Sequence, residues 1–109
     1  MNIFIKEKSV LAHFAAIVLK EKSMALTLGR TIHLWHTHDQ DFLKNQKWLQ
    51  HELIHVRQFE KAGYLVFIFQ YIWECIRHGY VNNKFEKAAR LGEGEAMDLK
   101  KYNFICHKK

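Results

Sequence analysis

Behind Ser9, the residues Val10, Phe14, Ile17 and Val18 recur at the three-to-four spacing of a helical stripe. Ser9 offers the side-chain oxygen of an N-cap, so the pattern predicts a first helix ending near Lys20. The period changes in "SMALTLGRTIHLWHTH" (23–38), where β-forming residues flank Gly29-Arg30. Glycine at the first of two loop positions suits a type II′ turn, and a hairpin is expected. Its facing pairs do not sort into an apolar and a polar side, which a bulge at Gly29 would explain. From Asp39 or Asp41 a helical pattern runs through "FLKNQKWLQHELIHVRQFEKA" and stops at Gly63, a residue suited to the position after a helix. Trp48, Phe59 and Ala62 share one side of it with His51, Glu52 and His55, while Leu49, Leu53 and Val56 cover another. Two apolar faces predict a helix in the middle of its domain. A third helix follows from Tyr64 to about His78, closed by Gly79. A fourth opens after Asn82-Asn83 with "KFEKAARLGEGEAM" and weakens around Gly92 and Gly94.

These elements make a mostly helical α+β chain, a single domain over residues 1–109 with about four helices and a small antiparallel sheet or hairpin. Residues 100–109 read as a loose tail. The chain is 49% hydrophobic with no proline and five glycines, which favours a packed, helix-rich globule over disorder. A net charge of +6 admits nucleic acid or an anionic membrane as a partner. The lysines are scattered, however, and His107-Lys108-Lys109 is the one dense basic cluster. Scattered charge reads as a solvated surface and counts against nucleic acid. The most apolar run, "GYLVFIFQYIWECI" (63–76), is shorter than the roughly 20 residues of a membrane span and is interrupted by Gln70 and Glu74. A buried core helix is expected there, with peripheral membrane contact as the alternative. Asn2-Ile3-Phe4-Ile5 is too short an apolar stretch before Lys6 and Glu7 for a signal peptide. Cys75 and Cys106 have no metal or redox spacing and read as free thiols in a reducing compartment, although a disulfide between them stays open. A cytoplasmic location is the expectation.

The chemistry concentrates in "HELIHVRQ" (51–58). Residues four apart on a helix lie one above the other, about 6 Å along the axis. His51 and His55 can therefore aim ring nitrogens at one tetrahedral zinc, while Glu52, about 100° around the helix, reaches a water on that zinc. Two neutral ligands hold the cation and the carboxylate takes the water's proton. With eight histidines and eight glutamates, His-Glu-x-x-His arises by chance in about four of a hundred such chains, so the motif alone is a hypothesis. The competing reading is a solvated histidine face. Its mid-helix setting between apolar residues counts against that, because unpaired buried imidazoles are costly.

A catalytic zinc needs a third protein ligand. Glu86, His78, His36, His38, Glu93 and Glu95 are candidates. Glu86 is favoured, since the third helix and a turn are long enough to bring its helix back across the histidines. The competing explanation is a capping box, with Glu86 reaching back to the Asn83 backbone. His36-Thr37-His38 can bind metal on a strand, but reads more naturally as the loop entering the long helix. Tyr80, in the turn before the Glu86 helix, could stabilise an oxyanion or simply pack the turn. Gln58 could orient a ligand or be a surface glutamine.

"HELIHVRQ" followed by "GY…NNKFEKAAR" resembles the glutamate-type zincin metallopeptidases, and more closely a family of small bacterial zincin-like proteins with a His-Glu-x-x-His-x-x-Gln motif. "TLGRTIHLW", "WLQHELIHVRQF" and "RHGYVNNKFEKAAR" carry the likeness, which covers about residues 9–92. The resemblance implies a compact zincin-like fold with His51, His55 and Glu86 as zinc ligands and Glu52 as general base. It also implies a strand edge, within Thr27 to Trp35, that holds a peptide backbone. A zinc-dependent hydrolase acting on a peptide or protein is the leading expectation. A non-catalytic zinc-stabilised module that binds a protein partner is the alternative.

Overall fold

Ile3 and Ile5 are fully buried and alternate with more exposed neighbours, the two-residue period of a strand with one face in a core. In the computed structural model, which describes residues 1–107, this strand is β1 (Asn2–Lys6). The chain continues through α1 (Val10–Leu19), β2 (Met24–Leu28), β3 (Thr31–Trp35), α2 (Asp39–Lys44), α3 (Gln46–Ala62), α4 (Tyr64–His78), α5 (Lys84–Gly92), a 3-10 turn (Leu99–Lys101) and β4 (Asn103–His107). Lys108 and Lys109 of the basic cluster lie outside the described residues. The architecture is α+β with helices predominating, as expected.

The sheet is larger than a hairpin and mixed, in the order β2-β3-β1-β4. β2 and β3 are antiparallel, while β1 runs parallel to both β3 and β4. Within the stretch expected as a loose tail, Asn103–His107 form the far edge strand, with Asn103 N donating to Met1 O at 2.8 Å. The hairpin ladder runs without interruption from Met24↔Trp35 to Leu28↔Thr31, so there is no bulge at Gly29. Gly29 has φ +64° and Arg30 is not in the positive-φ region, the sign pattern of a II′ turn.

The mixed patterning of the hairpin has another cause. Both faces of the sheet are covered. Ala25, Ile32 and Leu34 join Ile3 and Ile5 against Phe42, Leu49, Leu53 and Val56 of α2 and α3. On the opposite face Met24, Leu26 and Trp35 pack against Ala12 and Ala16 of α1. The long helix expected from Asp39 is interrupted at Asn45, whose side chain accepts from Trp48 N at 3.2 Å and caps α3 afresh.

Two helices present the face that periodicity alone would have put inside. In α1 the small Ala12 and Ala16 are buried, whereas Val10, Phe14, Ile17 and Val18 point outward. In α4 only Phe67 is fully buried, so the expected core helix is a surface helix with an apolar outer side. Among the described residues no helix is long and apolar enough to cross a membrane. Cys75 and Cys106 are not joined in a disulfide.

α5 crosses α3 closely at Gly92, where an added Cβ would lie 2.7 Å from Ile54 Cγ1. We expect Gly92→Ala to destabilise the fold by about 1–3 kcal/mol through overpacking, outweighing the ~1 kcal/mol gained in helix propensity. Denaturant unfolding of the variant would show this as a lower midpoint at unchanged slope.

Candidate metal centre

The apolar residues Leu49, Leu53 and Val56 anchor α3 to the sheet and fix its rotation about its own axis. That rotation turns Glu52 toward β2 and lifts His51 and His55 toward α4 and α5. The two imidazoles stand edge to face, 5.1 Å between ring centroids. Ligand atoms of His51, Glu52 and His55 lie within 4.8 Å of one another, the one cluster of its kind among the described residues.

Glu86 completes the group. Its carboxylate bridges the two rings, Oε1 3.0 Å from His51 Nε2 and Oε2 3.2 Å from His55 Nε2. It does not close a capping box: Asn83 caps α5 through its own side chain, which accepts from Phe85 N at 2.8 Å, and Asn83 N donates to Tyr80 O instead.

The other nitrogen of each ring is held as well. His51 Nδ1 lies 2.6 Å from Glu93 Oε2, and His55 Nδ1 lies 2.8 Å from Gln58 Oε1. Both acceptors favour a proton on Nδ1, which turns the Nε2 lone pair of a neutral ring inward, as a metal ligand requires. Gln58 is itself fixed by donating to Phe85 O at 3.2 Å. Glu93, a candidate third ligand by sequence, thus stands behind His51 rather than opposite it. His36, His38 and His78 are exposed and outside the cluster, and His38 turns to Glu7 at 3.4 Å.

Two contributors were not anticipated. Tyr71 OH donates to Glu86 Oε2 at 2.5 Å. Gln50, almost fully buried, donates to the carbonyls of Gly92, Glu93 and Glu95 and pins the end of α5 that carries Glu93. The visible signal for Tyr71 is its position four residues after Phe67, on the inner side of an otherwise apolar helix.

Electrostatically the site is an acidic cage around two imidazoles. Burial opposes the charge on His51, but hydrogen bonds to Glu86 and Glu93 and the nearby Glu52 outweigh it and raise its pKa to about 9. Burial likewise opposes charge on His55, and Glu86 and Glu52 again shift it upward. Burial alone would raise the Glu86 carboxyl; the hydrogen bonds from His51, His55 and Tyr71 hold it well below the usual range. Glu52 is different. Burial dominates and raises its pKa, against the pull of the two histidines and a 2.7 Å hydrogen bond from Thr27 Oγ1. A cleft of about 710 Å³ opens onto His51 and Glu52, with Tyr80, Met24, Trp48 and Glu93 in its walls. Burial and the neighbouring carboxylates of Glu86 and Glu52 keep the Tyr80 phenol protonated.

The sign of the pH dependence follows. His51 has a folded pKa of about 9 against 6.5 for the free side chain. Its stabilising contribution is complete below pH ~6.5 and is lost as pH rises through ~9. Glu86, shifted down, contributes above its ordinary carboxylate range and loses that contribution in acid. Chelator-treated protein should therefore melt at progressively lower temperature between pH 6.5 and 9, and Glu86→Gln should flatten that slope. A profile that is flat in the wild type would contradict the protonated cage.

The eCIS core domain family matches residues 8–63, from the start of α1 to the end of α3. The matched stretch contains Thr27, His51, Glu52, His55 and Gln58; Tyr71, Glu86 and Glu93 lie beyond it. No curated protein and no solved structure is significantly similar to the chain. With just over half its length matched, the chain belongs to the eCIS core domain family.

Proposed function

We propose that this chain is a zinc-dependent hydrolase, a peptidase of the compact glutamate-type zincin kind. The observation that carries the reading is the placement of Glu86. A residue whose sequence context fits a helix cap instead puts both carboxylate oxygens on the inward nitrogens of His51 and His55. Two imidazoles with oriented Nδ1 atoms and one buried carboxylate make a donor set that suits zinc, so the residues fit the ion. Glu52 belongs to the same cluster but has Oε1 committed to Thr27, which favours Glu86 as the third ligand and leaves Glu52 for proton transfer.

Zinc held there would supply Lewis acidity and an activated water at neutral pH. The chain's own residues do the rest. Glu52, fixed by Thr27 and with its pKa raised by burial, accepts a proton from the attacking water and passes it to the leaving amine. Tyr80, kept as the neutral phenol, can donate to a developing oxyanion from the wall of the cleft. β2 is an edge strand and Met24 and Ala25 line the cleft, so an extended peptide can pair along that edge. Of the stretch Thr27 to Trp35, only Thr27 and Leu28 lie on this edge strand, since β3 is an interior strand.

Purified protein should hold about one zinc per chain, and Glu86→Ala should lose most of it while Tyr80→Phe keeps it. Full occupancy in Glu86→Ala would reassign the third ligand. Glu93→Gln, which acts at the outer nitrogen of His51, and Gln58→Ala, which removes the acceptor at His55 Nδ1 together with the bond to Phe85 O, should each weaken zinc about 10–100-fold in a competition titration.

Glu52→Gln separates an enzyme from a zinc-stabilised binding module. Glutamine keeps the hydrogen bond with Thr27 but takes no proton at neutral pH, so zinc and fold should persist while hydrolysis of a peptide library falls about 10²–10⁴-fold. Equal cleavage by both proteins would exclude Glu52 as the base, and a zinc-loaded wild type without cleavage would favour the binding module.

A further inference from the structure

The start of α5 grips Tyr71 of α4 at three levels. Asn83 Nδ2 donates to its backbone carbonyl at 3.1 Å. The Phe85 ring lies nearly parallel to its ring, with centroids 6.4 Å apart. Glu86 Oε2 accepts from its hydroxyl at 2.5 Å. His55 stands edge-on to the same ring at 6.3 Å, and Phe67, one turn earlier on α4, lies 5.9 Å from it. A phenol boxed between three rings has little freedom left, and its proton is aimed at one oxygen of Glu86.

The two oxygens of Glu86 are therefore not equivalent. Oε1 lies 3.0 Å from His51 Nε2, whereas Oε2 lies 3.2 Å from His55 Nε2 and also receives the Tyr71 proton. An oxygen that accepts a phenol proton has one lone pair and some electron density fewer to offer a cation, so Oε1 is the better donor of the two. The difference matters for the chemistry. A carboxylate that bound through both oxygens would fill the position that a catalytic zinc with three protein ligands keeps for water. The other carboxylate of the centre is divided in the same way, since Thr27 Oγ1 donates to Glu52 Oε1 at 2.7 Å. In each carboxylate a hydroxyl singles out one oxygen.

We propose that Tyr71 is a positioning residue that holds Glu86 to one-oxygen binding of the metal, through Oε1, and so keeps a coordination position open for water. The inference rests on the metal-centre part of the reading above and not on hydrolysis. Tyr71 acts only through Glu86, by occupying the oxygen that would otherwise join the ion.

Visible absorption of the full chain loaded with cobalt(II) tests this, because four-coordinate cobalt absorbs strongly and five-coordinate cobalt weakly. The wild type should show the strong bands of a four-coordinate site. Tyr71→Phe keeps the ring beside Phe67 and Phe85 and removes only the hydroxyl. Glu86 Oε2 is then free to join the ion, and the strong bands should be lost to those of a five-coordinate site. Tyr71→Met, which also lacks the hydroxyl but fills the space with another shape, should lose them equally. A loss confined to one of the two variants would assign the effect to packing and overturn the proposal. So would strong bands retained in both, or weak five-coordinate bands already in the wild type. A wild type that takes up neither cobalt nor zinc would overturn the metal centre itself and this inference with it. The expected spectra in a protein that cleaves no peptide would remove only the hydrolase reading and support the role of Tyr71.

Discussion

A carboxylate taken out of water costs several kcal/mol unless charged or polar donors replace its hydration, and Glu86 is such a carboxylate, with its side chain only 5% exposed. Its donors come from two other helices: both imidazoles from α3 and the Tyr71 phenol from α4. The contact is thus the point at which three helices must agree in position. Several otherwise isolated features serve it. Gly92 lets α5 approach Ile54, and Gln50 holds the three carbonyls at the end of α5. Asn83 caps α5 while donating to Tyr71 O and Cys75 Sγ of α4. None of these residues touches the inner ring nitrogens, yet each restricts where Glu86 can be.

This dependence explains why the centre was only partly legible in the sequence. His51, Glu52 and His55 lie within one turn and a fraction of one helix, so helical geometry alone places them. Glu86 could be suspected because a turn and a helix return the chain, but whether its carboxylate turns back to the Asn83 backbone or across to the histidines depends on how α5 packs against α3. Glu93 was visible as an acid near the right place. Which ring nitrogen it meets depends on the crossing of α5 over α3, a property no local spacing encodes. Tyr71 was hidden among aromatic residues, because an apolar run conceals a hydroxyl whose partner is distant in the chain.

The fold shows the same division between local and distant causes. Caps and stops were readable at Ser9, Gly63, Gly79 and Asn83, where one residue and its immediate neighbours decide the backbone. β1 and β4 were not, since a parallel pair of strands separated by nearly the whole chain leaves no turn to mark it. Asn45 escaped notice because an interruption that immediately recaps the next helix preserves the apolar period on both sides. The hairpin's irregular alternation was a real signal given the wrong cause. A strand covered on both faces has no polar side to alternate with.

Periodicity identifies an apolar stripe but not what covers it, and α1 and α4 turn on that distinction. In α1 the small residues Ala12 and Ala16 allow a close approach to the sheet, leaving the larger Val10, Phe14, Ile17 and Val18 outside. In α4 the inward side is fixed by Tyr71, because only that orientation delivers a donor to Glu86. The buried carboxylate therefore determines which face of α4 is left over. The leftover face is apolar because the helix has almost no charged residues to offer it: Glu74 caps toward α5 and Arg77 lies over Trp73. Seen this way, the candidate metal centre and the outer apolar surface of α4 are two consequences of one helix orientation. A change that rotates α4 would remove a donor from Glu86 and bury part of the outer stripe together.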